Sequence, residues 1–341
     1  GVIASASYEA RAFGVRSAMP TGHALRLCPD LIVVPARHSL YSDYSDRVYA
    51  RLQTLAPAVE RASIDEMYLD LTGCDMLYRH DLPGFLITLQ KLVLAEFELP
   101  CTVALACNKT IAKIATGTAK PAGIRIVPQG SERAFLAPLP VSVIPGVGPK
   151  TEEILKSRGF ATVADVQASR REHIGRLLGA SGAWVYDVAT GGGSETVESV
   201  HVRKSVSREE TFSHDLTETR ELERVLFALV EDVCSTLRRK QLKGESVTLK
   251  IRDATFKTIT RTTSLTRTYD DGAVFAATRD LLARNHTNGR PVRLIGVQIS
   301  RLSPADELLL FPTEERRDRI LQTIESLRDR FGHDVIHLGD A

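Results

Sequence analysis

Residues 59–73, VERASIDEMYLDLTG, determine how the first part of the chain folds. Strand-like runs lie on both sides of SIDE (63–66), a pattern typical of two strands joined by a tight turn. Adjacent residues of a regular strand point to opposite faces, so Asp65 and Glu66 can converge only if a turn or bulge falls at SIDE. Two converging carboxylates would suit Mg²⁺, which binds through carboxylates and substrate phosphates. A solvated turn is the simpler explanation for these four residues alone.

The segments around this hairpin mix strands and helices, which predicts an α+β layer. Apolar residues at three- and four-residue steps predict helices at 40–55 and 84–98. Short apolar runs predict strands at 1–5, 31–37, 101–107 and 124–127, with a helix at 108–120 that Pro121 and Gly123 end.

The pattern changes after Pro128, where short helices separated by glycines continue to about residue 190. GGGSE (191–195) predicts a flexible linker from its composition. The next block predicts the order β-α-β-β-α-β, a split βαβ sheet with both helices on one face. Its elements are strand 200–208, helix 218–241, strands 245–252 and 256–265, helix 273–286 and strand 291–301, and a further helix follows at 314–330.

Composition sets the class of protein. With 341 residues, 43% hydrophobic and 25% charged, the chain predicts two or three folded domains. No apolar run is long enough for a membrane span, and five cysteines without a CxxC motif favour a reducing, cytoplasmic setting. Residues 199–302 carry a net charge of +6 in a chain of net +2, which weakly indicates a polyanionic partner.

Two segments could bind phosphate groups. In YEARAFG (8–14), Tyr8 and Arg11 would share a helix face and suit a nucleotide, although a surface cation–π contact is the plain alternative. In NKTIAKIATGTAK (108–120), Lys109, Lys113 and Lys120 could serve phosphate as point charges. For these lysines a solvated helix face is the simpler interpretation.

Two further segments suggest contact with a nucleic acid. VIPGVGPKTEEILKSRGF (143–160) has the helix–hairpin–helix pattern, in which backbone N–H groups near Gly146, Gly148 and Lys150 bind a phosphate without reading a base. A glycine-rich turn between two helices is the alternative. HVRKSVSREETF (201–212) is predicted to present arginines, lysine and serines on a strand, which suits a phosphate backbone.

ELLLF (307–311) brings three leucines and a phenylalanine into a tail that has no core of its own. Such an exposed apolar segment would be unfavourable unless it docks somewhere. Packing against the preceding domain and docking in the groove of a partner protein are both open.

Five segments, taken in order, resemble the Y-family DNA polymerases, the translesion enzymes of the DNA polymerase IV branch. They are YEARAFGVRSAMP (8–20), SIDEMYLDLTG (63–73), NKTIAKIATGTAKPAG (108–123), VIPGVGPKTEEILKSRG (143–159) and RKSVSREETF (203–212). The resemblance implies an α+β multidomain fold with a right-hand layout. Its parts would be fingers (1–36), palm (37–127), a helical thumb with the helix–hairpin–helix (128–192), a linker (193–199), a split βαβ little finger (200–302) and a C-terminal tail (303–341).

The resemblance also implies roles for particular residues. Asp65 and Glu66 match two catalytic, metal-binding carboxylates. The nucleotide contacts would be Ser5, Tyr8, Arg11 and Lys120, and the DNA contacts Gly146, Gly148, Lys150, Arg203, Lys204, Ser205 and Arg208. Leu308, Leu310 and Phe311 match a peptide that binds the sliding clamp, although Glu307 stands where glutamine is usual.

From this resemblance we expect template-directed, low-fidelity DNA synthesis past damaged template, with two Mg²⁺ ions, no proofreading, primer–template DNA and dNTP as partners, and a monomer. Family members open with roughly forty further residues that supply the first palm strand, a third metal carboxylate and the ribonucleotide gate. None of these is in the sequence, so we expect these 341 residues alone to polymerise poorly or not at all. The alternatives are a non-catalytic DNA-binding scaffold and a helix–hairpin–helix nuclease or glycosylase.

Overall fold

The computed structural model describes residues 1–200, 202–305, 312–332 and 335. The chain divides between residues 201 and 202 into two compact units. Each unit has its own hydrophobic core.

The first unit combines two short strand ladders with ten α-helices, counted within residues 1–200. Strands β1 (Ala58–Arg61) and β2 (Met67–Asp70) pair antiparallel, and β3 (Val103–Leu105) and β4 (Ile124–Ile126) pair parallel. The helices are α1 (Tyr8–Ala12), α2 (Thr21–Leu27), α3 (His38–Leu52), α4 (Leu82–Phe97), α5 (Lys109–Ala119), α6 (Glu132–Leu136), α7 (Pro149–Ser157), α8 (Val163–Gln167), α9 (Arg171–Leu178) and α10 (Ala180–Ala189), with a 3₁₀ turn at Val141–Val143.

Helix α5 is shared between two environments. Asn108 begins it by accepting a hydrogen bond from the Ile111 N–H at 2.9 Å, and Ile111, Ile114 and Ala115 are buried in a core with α7 to α10. The opposite side of the helix carries Lys113, which is exposed. This amphipathic division fixes which way the lysines of α5 point.

The prediction of a strand at 31–37 is wrong. These residues have no strand pairing in the described structure, and Ile32 is 85% exposed. An apolar, β-branched run favours extended backbone, but a strand forms only where another segment supplies a hydrogen-bonded partner. Residues 1–5 likewise make only an isolated bridge, between Val2 and Pro20.

The second unit has the predicted element order and is described from residue 202 onward. It contains β5 (Ser205–Leu216), α11 (Thr219–Arg239), β6 (Leu242–Asp253), β7 (Thr258–Thr268), α12 (Asp271–Asn285), β8 (Val292–Pro304) and α13 (Pro312–Phe331). The four strands form one antiparallel sheet in the order β5-β8-β6-β7. Val247, Leu249 and Ile251 of β6 are buried with residues of α11 and α12, as the alternation predicted.

A buried group of charges attaches α13 to this unit. The Arg238 guanidinium of α11 lies 2.8 Å from Asp271 and 3.1 Å from Glu325 of α13, and Arg328 lies 2.6 Å from Glu231. Burial raises the pKa of Asp271, whereas the hydrogen bonds from Ser235 and Arg238 outweigh burial and lower the pKa of Glu325. Removing one member of such a group would leave a buried charge without its partner.

Residues 191–195, which their composition predicted to be a flexible linker, are bonded to the first unit, and residues 191–198 are here named the docked segment. The Lys109 N–H donates to the Ser194 carbonyl at 3.0 Å, and the Ser194 N–H donates to Thr110 Oγ1 at 3.1 Å. Asn108 donates its side-chain N–H to the Gly191 carbonyl at 3.1 Å. The start of α5 therefore holds this segment against the first unit.

We predict that Gly193→Ala loosens the docked segment. A Cβ at this position would lie 2.6 Å from Thr110 and 2.7 Å from Asn108, closer than carbon contacts allow. We expect the amides of Ser194 and Glu198 to exchange hydrogen about tenfold faster or more, because their bonds to the first unit would be strained.

The matched control is Gly117→Ala, in α5, where a Cβ would meet no atom within 4 Å. This change should leave the exchange of Ser194 and Glu198 unaltered and stabilise the helix by up to about 1 kcal/mol. Equal exchange rates in Gly193→Ala and the unmodified protein would contradict the tight contact.

Candidate active site

The tip of the β1–β2 hairpin carries the two predicted acids. The β1–β2 register ends at Arg61 opposite Met67, and the Ala62 and Ser63 N–H groups both donate to the Glu66 carbonyl, at 3.0 and 3.1 Å. The Ser63 hydroxyl donates to Asp65 Oδ1 at 2.7 Å. A turn therefore interrupts the strand alternation at 63–66, as the sequence predicted.

The two carboxylates differ in their surroundings. Asp65 is exposed, and its hydrogen bonds are to Ser63 within the turn. Glu66 is only partly exposed and lies against α5, where Lys113 Nζ is 2.5 Å from both of its carboxylate oxygens. The hairpin and the helix thus meet through Glu66.

A second ion pair lies beside the first. Lys109, one helical turn before Lys113 and therefore on the same side of α5, places its ammonium group 2.5 Å from Glu60 of β1. Glu60 is directly opposite Tyr68 in the hairpin register, and the Lys109 ammonium group lies 5.7 Å from the centre of the Tyr68 ring. We call Glu60, Glu66, Tyr68, Lys109 and Lys113 the acid–lysine cluster.

The electrostatics of this cluster keep Tyr68 protonated. Burial, together with the negative charges of Glu66 and Glu60, raises the pKa of Tyr68 to about 12. Its phenol can therefore donate a hydrogen bond at neutral pH but cannot act as a base. Glu60 also accepts the Glu198 N–H of the docked segment at 2.7 Å, so the cluster and that segment share one carboxylate.

The acid pair has the donor chemistry of a magnesium site. Carboxylate oxygens are hard ligands, and Mg²⁺ is commonly held by one or two carboxylates together with substrate phosphates. In the ranges that the structure describes, no group of three or more His, Cys, Asp or Glu side chains could hold a metal ion. The residues present therefore fit a partial site of two carboxylates that requires further oxygen ligands.

The predicted nucleotide contacts lie in the same unit as the two acids, but no hydrogen bond or ion pair among the described residues joins them to the acids. Tyr8 and Arg11 are one helical turn apart in α1, with the Arg11 guanidinium 5.4 Å from the centre of the Tyr8 ring. Ser5 and Lys120 are exposed, and Lys120 directly follows α5. Among the described residues no hydrogen bond or ion pair joins these four to Asp65 or Glu66, so their roles remain predictions.

The helix–hairpin–helix segment forms a turn that opens a helix. Gly146 has a φ of +96°, which favours glycine, and Gly148 immediately precedes α7, where no side chain caps the first N–H groups. Lys150 is exposed in the first turn of α7. Sequence reasoning missed Trp184, whose indole N–H donates to the Pro145 carbonyl at 2.8 Å and so supports this turn.

The predicted basic strand is only partly on the open face of its sheet. Ser205 and Ser207 lie opposite the buried Val206 and face outward, and Arg203 and Lys204 are exposed just before β5. Arg208 lies on the other side, where it donates to Thr236 of α11 at 3.3 Å. On the face of the sheet away from the helices, the two serines are therefore available to a phosphate backbone, whereas Arg208 points to the helix side.

The open face carries an ion pair that the sequence did not reveal. Glu209, Gly296 and Lys250 are directly opposite one another on β5, β8 and β6, and Lys250 Nζ lies 2.6 Å from Glu209 across the glycine. A Cβ at Gly296 would lie 2.8 Å from that of Glu209. The glycine thus allows the pair to close over the central strand.

The predicted clamp-binding residues Leu308, Leu310 and Phe311 lie outside the described residues. No helix in the described ranges is both long and apolar enough to span a membrane.

Comparison with protein families gives three matches along the chain. The impB/mucB/samB family matches residues 1–117, the HHH motif of the IMS family matches 130–160, and the impB/mucB/samB C-terminal domain matches 203–310. The middle match confirms the helix–hairpin–helix prediction at 143–160.

Comparison with individual proteins gives the same result. The chain is 36% identical to a protein named DNA polymerase IV from Opitutus terrae, over 99% of the chain and 88% of that relative. It is 35% identical to a protein of the same name from Caulobacter vibrioides, over 100% of the chain and 85% of that relative. Among solved structures it is similar to a Y-family DNA polymerase chimera of Dbh and Dpo4, with a TM-score of 0.77, 24% identity and coverage of 88% and 87%.

We predict that the ion pair of Lys109 matters more for stability than an exposed pair. The side chains of Lys109 and Glu60 are 13% and 19% exposed, so Lys109→Met should leave a partly buried carboxylate without its cation. We expect the free energy of unfolding in urea to fall by about 1–3 kcal/mol.

The control is Lys156→Met, which removes a more exposed pair: Lys156 and Glu152, one turn apart on α7 and 2.8 Å from nitrogen to oxygen, are 52% and 25% exposed. Its urea midpoint should remain unchanged, because water screens such pairs. Similar losses in the two variants would contradict a structural role for the acid–lysine cluster.

Proposed function

Since the chain belongs to the impB/mucB/samB family of Y-family DNA polymerases, we propose that it copies DNA past damaged template with low fidelity, by nucleotidyl transfer that depends on two Mg²⁺ ions. The observation that carries the proposal is the turn at 63–66, which places the adjacent acids Asp65 and Glu66 at the tip of the β1–β2 hairpin, with Glu66 against Lys113 of α5. Primer–template DNA and a dNTP are the substrates, and pyrophosphate is the product.

In this proposal the two acids hold the cations. Asp65, exposed at the tip and bonded to Ser63 within the described part of the chain, would serve both cations, and Glu66 would hold the one near the primer end. Mg²⁺ held there would supply Lewis-acid chemistry: it would lower the pKa of the primer 3′-hydroxyl for attack on the α-phosphorus and offset charge on the departing pyrophosphate. Ser5, Tyr8, Arg11 and Lys120 would orient the triphosphate, which makes the attack effectively unimolecular.

The DNA would be held through its backbone. The N–H groups in the first turn of α7, which no side chain caps, and the ammonium group of Lys150 suit a phosphate and read no base. Arg203, Lys204 and the outward hydroxyls of Ser205 and Ser207 offer further phosphate contacts on the second unit. Binding without base readout suits an enzyme that must accept any template sequence.

Low fidelity and synthesis without proofreading belong to this proposal through the likeness to proteins named DNA polymerase IV.

We predict that Asp65→Asn in the full-length protein lowers the rate of single-nucleotide incorporation by at least about 10³-fold, because a bridging carboxylate loses its charge. Affinity for primer–template DNA, measured by fluorescence anisotropy, should remain within about twofold, because Asp65 is not among the residues proposed to bind the DNA backbone.

Asp75→Asn, an exposed acid shortly after β2, is the control and should incorporate normally. Normal incorporation by Asp65→Asn would contradict the role of Asp65 as a metal ligand. DNA binding without any incorporation by the unmodified full-length protein would instead favour the non-catalytic scaffold.

We also predict that the helix–hairpin–helix turn contacts duplex DNA. Gly146→Ala strains a backbone with φ +96° beside Trp184 and should weaken DNA binding about five- to tenfold. Trp184 is the only tryptophan, so its emission should change when duplex DNA is added to the unmodified protein.

The matched control is Gly289→Ala, which has a similar φ of +85°, has room for a Cβ and lies outside the matched motif at 130–160. Its DNA affinity should equal that of the unmodified protein. Equal weakening in both variants would indicate a general loss of structure rather than loss of a DNA contact.

A further inference from the structure

The carboxylate of Glu66 is already bound by a cation from the protein itself. Lys113 Nζ lies 2.5 Å from Oε1 and 2.5 Å from Oε2, so one ammonium group contacts both oxygens that a metal ion would use. Asp65 has no such cation, since its described contacts are with Ser63. Before any metal ion binds, the Glu66 carboxylate is therefore paired with a lysine, whereas the Asp65 carboxylate is bonded to a serine.

The fold holds Lys113 in this position. Ile111 and Ile114, one on each side of it in α5, are buried, which prevents the helix from turning about its axis. The pair itself is open to water, because the side chains of Lys113 and Glu66 are 44% and 36% exposed. The ammonium group can therefore leave Glu66 without becoming buried.

We propose that Lys113 is a positioning residue that competes with the divalent cation for Glu66. This inference rests on the proposed function. Before a metal ion binds, Lys113 holds the carboxylate in place and offsets its charge beside Glu60 and Asp65. Binding of the cation at Glu66 requires release of the lysine, so the ion pair lowers the affinity of the site for metal.

Lys109 provides an internal comparison. It occupies the same side of α5 one turn earlier and makes an ion pair of the same 2.5 Å length, but with Glu60 rather than with either acid of the turn. Glu60 also accepts the Glu198 N–H, so it serves the docked segment. Loss of the Lys109 charge should therefore leave competition at Glu66 intact.

The test measures metal binding directly. Full-length protein without DNA or nucleotide is titrated with Mn²⁺, and the free ion is followed by electron paramagnetic resonance. Lys113→Met should bind Mn²⁺ about three- to tenfold more tightly, the range expected for loss of a partly exposed ion pair. Lys113→Arg, which keeps the charge, should resemble the unmodified protein.

Lys109→Met should tighten Mn²⁺ binding less than Lys113→Met does, because Lys109 contacts neither acid of the turn. If methionine at 113 impairs folding, Lys113→Gln provides the same comparison. Damage to the structure would weaken metal binding, whereas competition predicts tightening. Unchanged or weaker binding in folded Lys113→Met and Lys113→Gln would overturn the inference.

An Asp65→Asn titration separates the inference from the proposed function. If Asp65→Asn loses Mn²⁺ binding but Lys113→Met does not bind more tightly, only the competition is wrong. If Asp65→Asn binds Mn²⁺ like the unmodified protein, the metal assignment is wrong and the inference is overturned with it.

Discussion

The contact between the acidic hairpin and α5 is the interaction on which the first unit depends. Ile111 and Ile114 bury one side of the helix, and this leaves the lysine side facing β1 and β2. Glu60 and Glu66 meet those lysines at 2.5 Å each. Without the lysines, the carboxylates of Glu60 and Glu66 would lose the cations that offset their charge, and the Glu66 side chain would lose its described hydrogen bonds.

The start of the same helix also holds the segment that leads toward the second unit. Asn108, Lys109 and Thr110 all bond to residues 191–194, and Glu60 bonds to Glu198. Glu60 therefore belongs both to the acid–lysine cluster and to the docking of this segment. A change in the position of the docked segment would act two residue positions from Glu66, because Glu60 is opposite Tyr68 and Tyr68 follows Glu66 by two residues.

Local patterns predicted the parts of the structure that local physics decides. The break at SIDE marked the hairpin turn, and the alternation of Val247, Leu249 and Ile251 marked the buried face of β6. Partners distant in sequence were not predictable in this way. Lys113 meets Glu66 across 47 residues and Trp184 meets Pro145 across 39, and no local periodicity encodes either contact. The strand prediction at 31–37 was wrong for the same reason, because a strand forms only where a distant segment pairs with it.

The central claim is that the turn at 63–66, beside α5, is where the protein binds divalent cations. Paramagnetic broadening by Mn²⁺ tests it most directly, in full-length protein with labelled isoleucine methyl groups. Ile64 lies within the turn and is 49% exposed, whereas Ile295 and Ile299 are buried in the second unit. The account predicts that the Ile64 signal broadens first and that broadening disappears in Asp65→Asn. A sharp Ile64 signal, with broadening elsewhere in the protein, would contradict it.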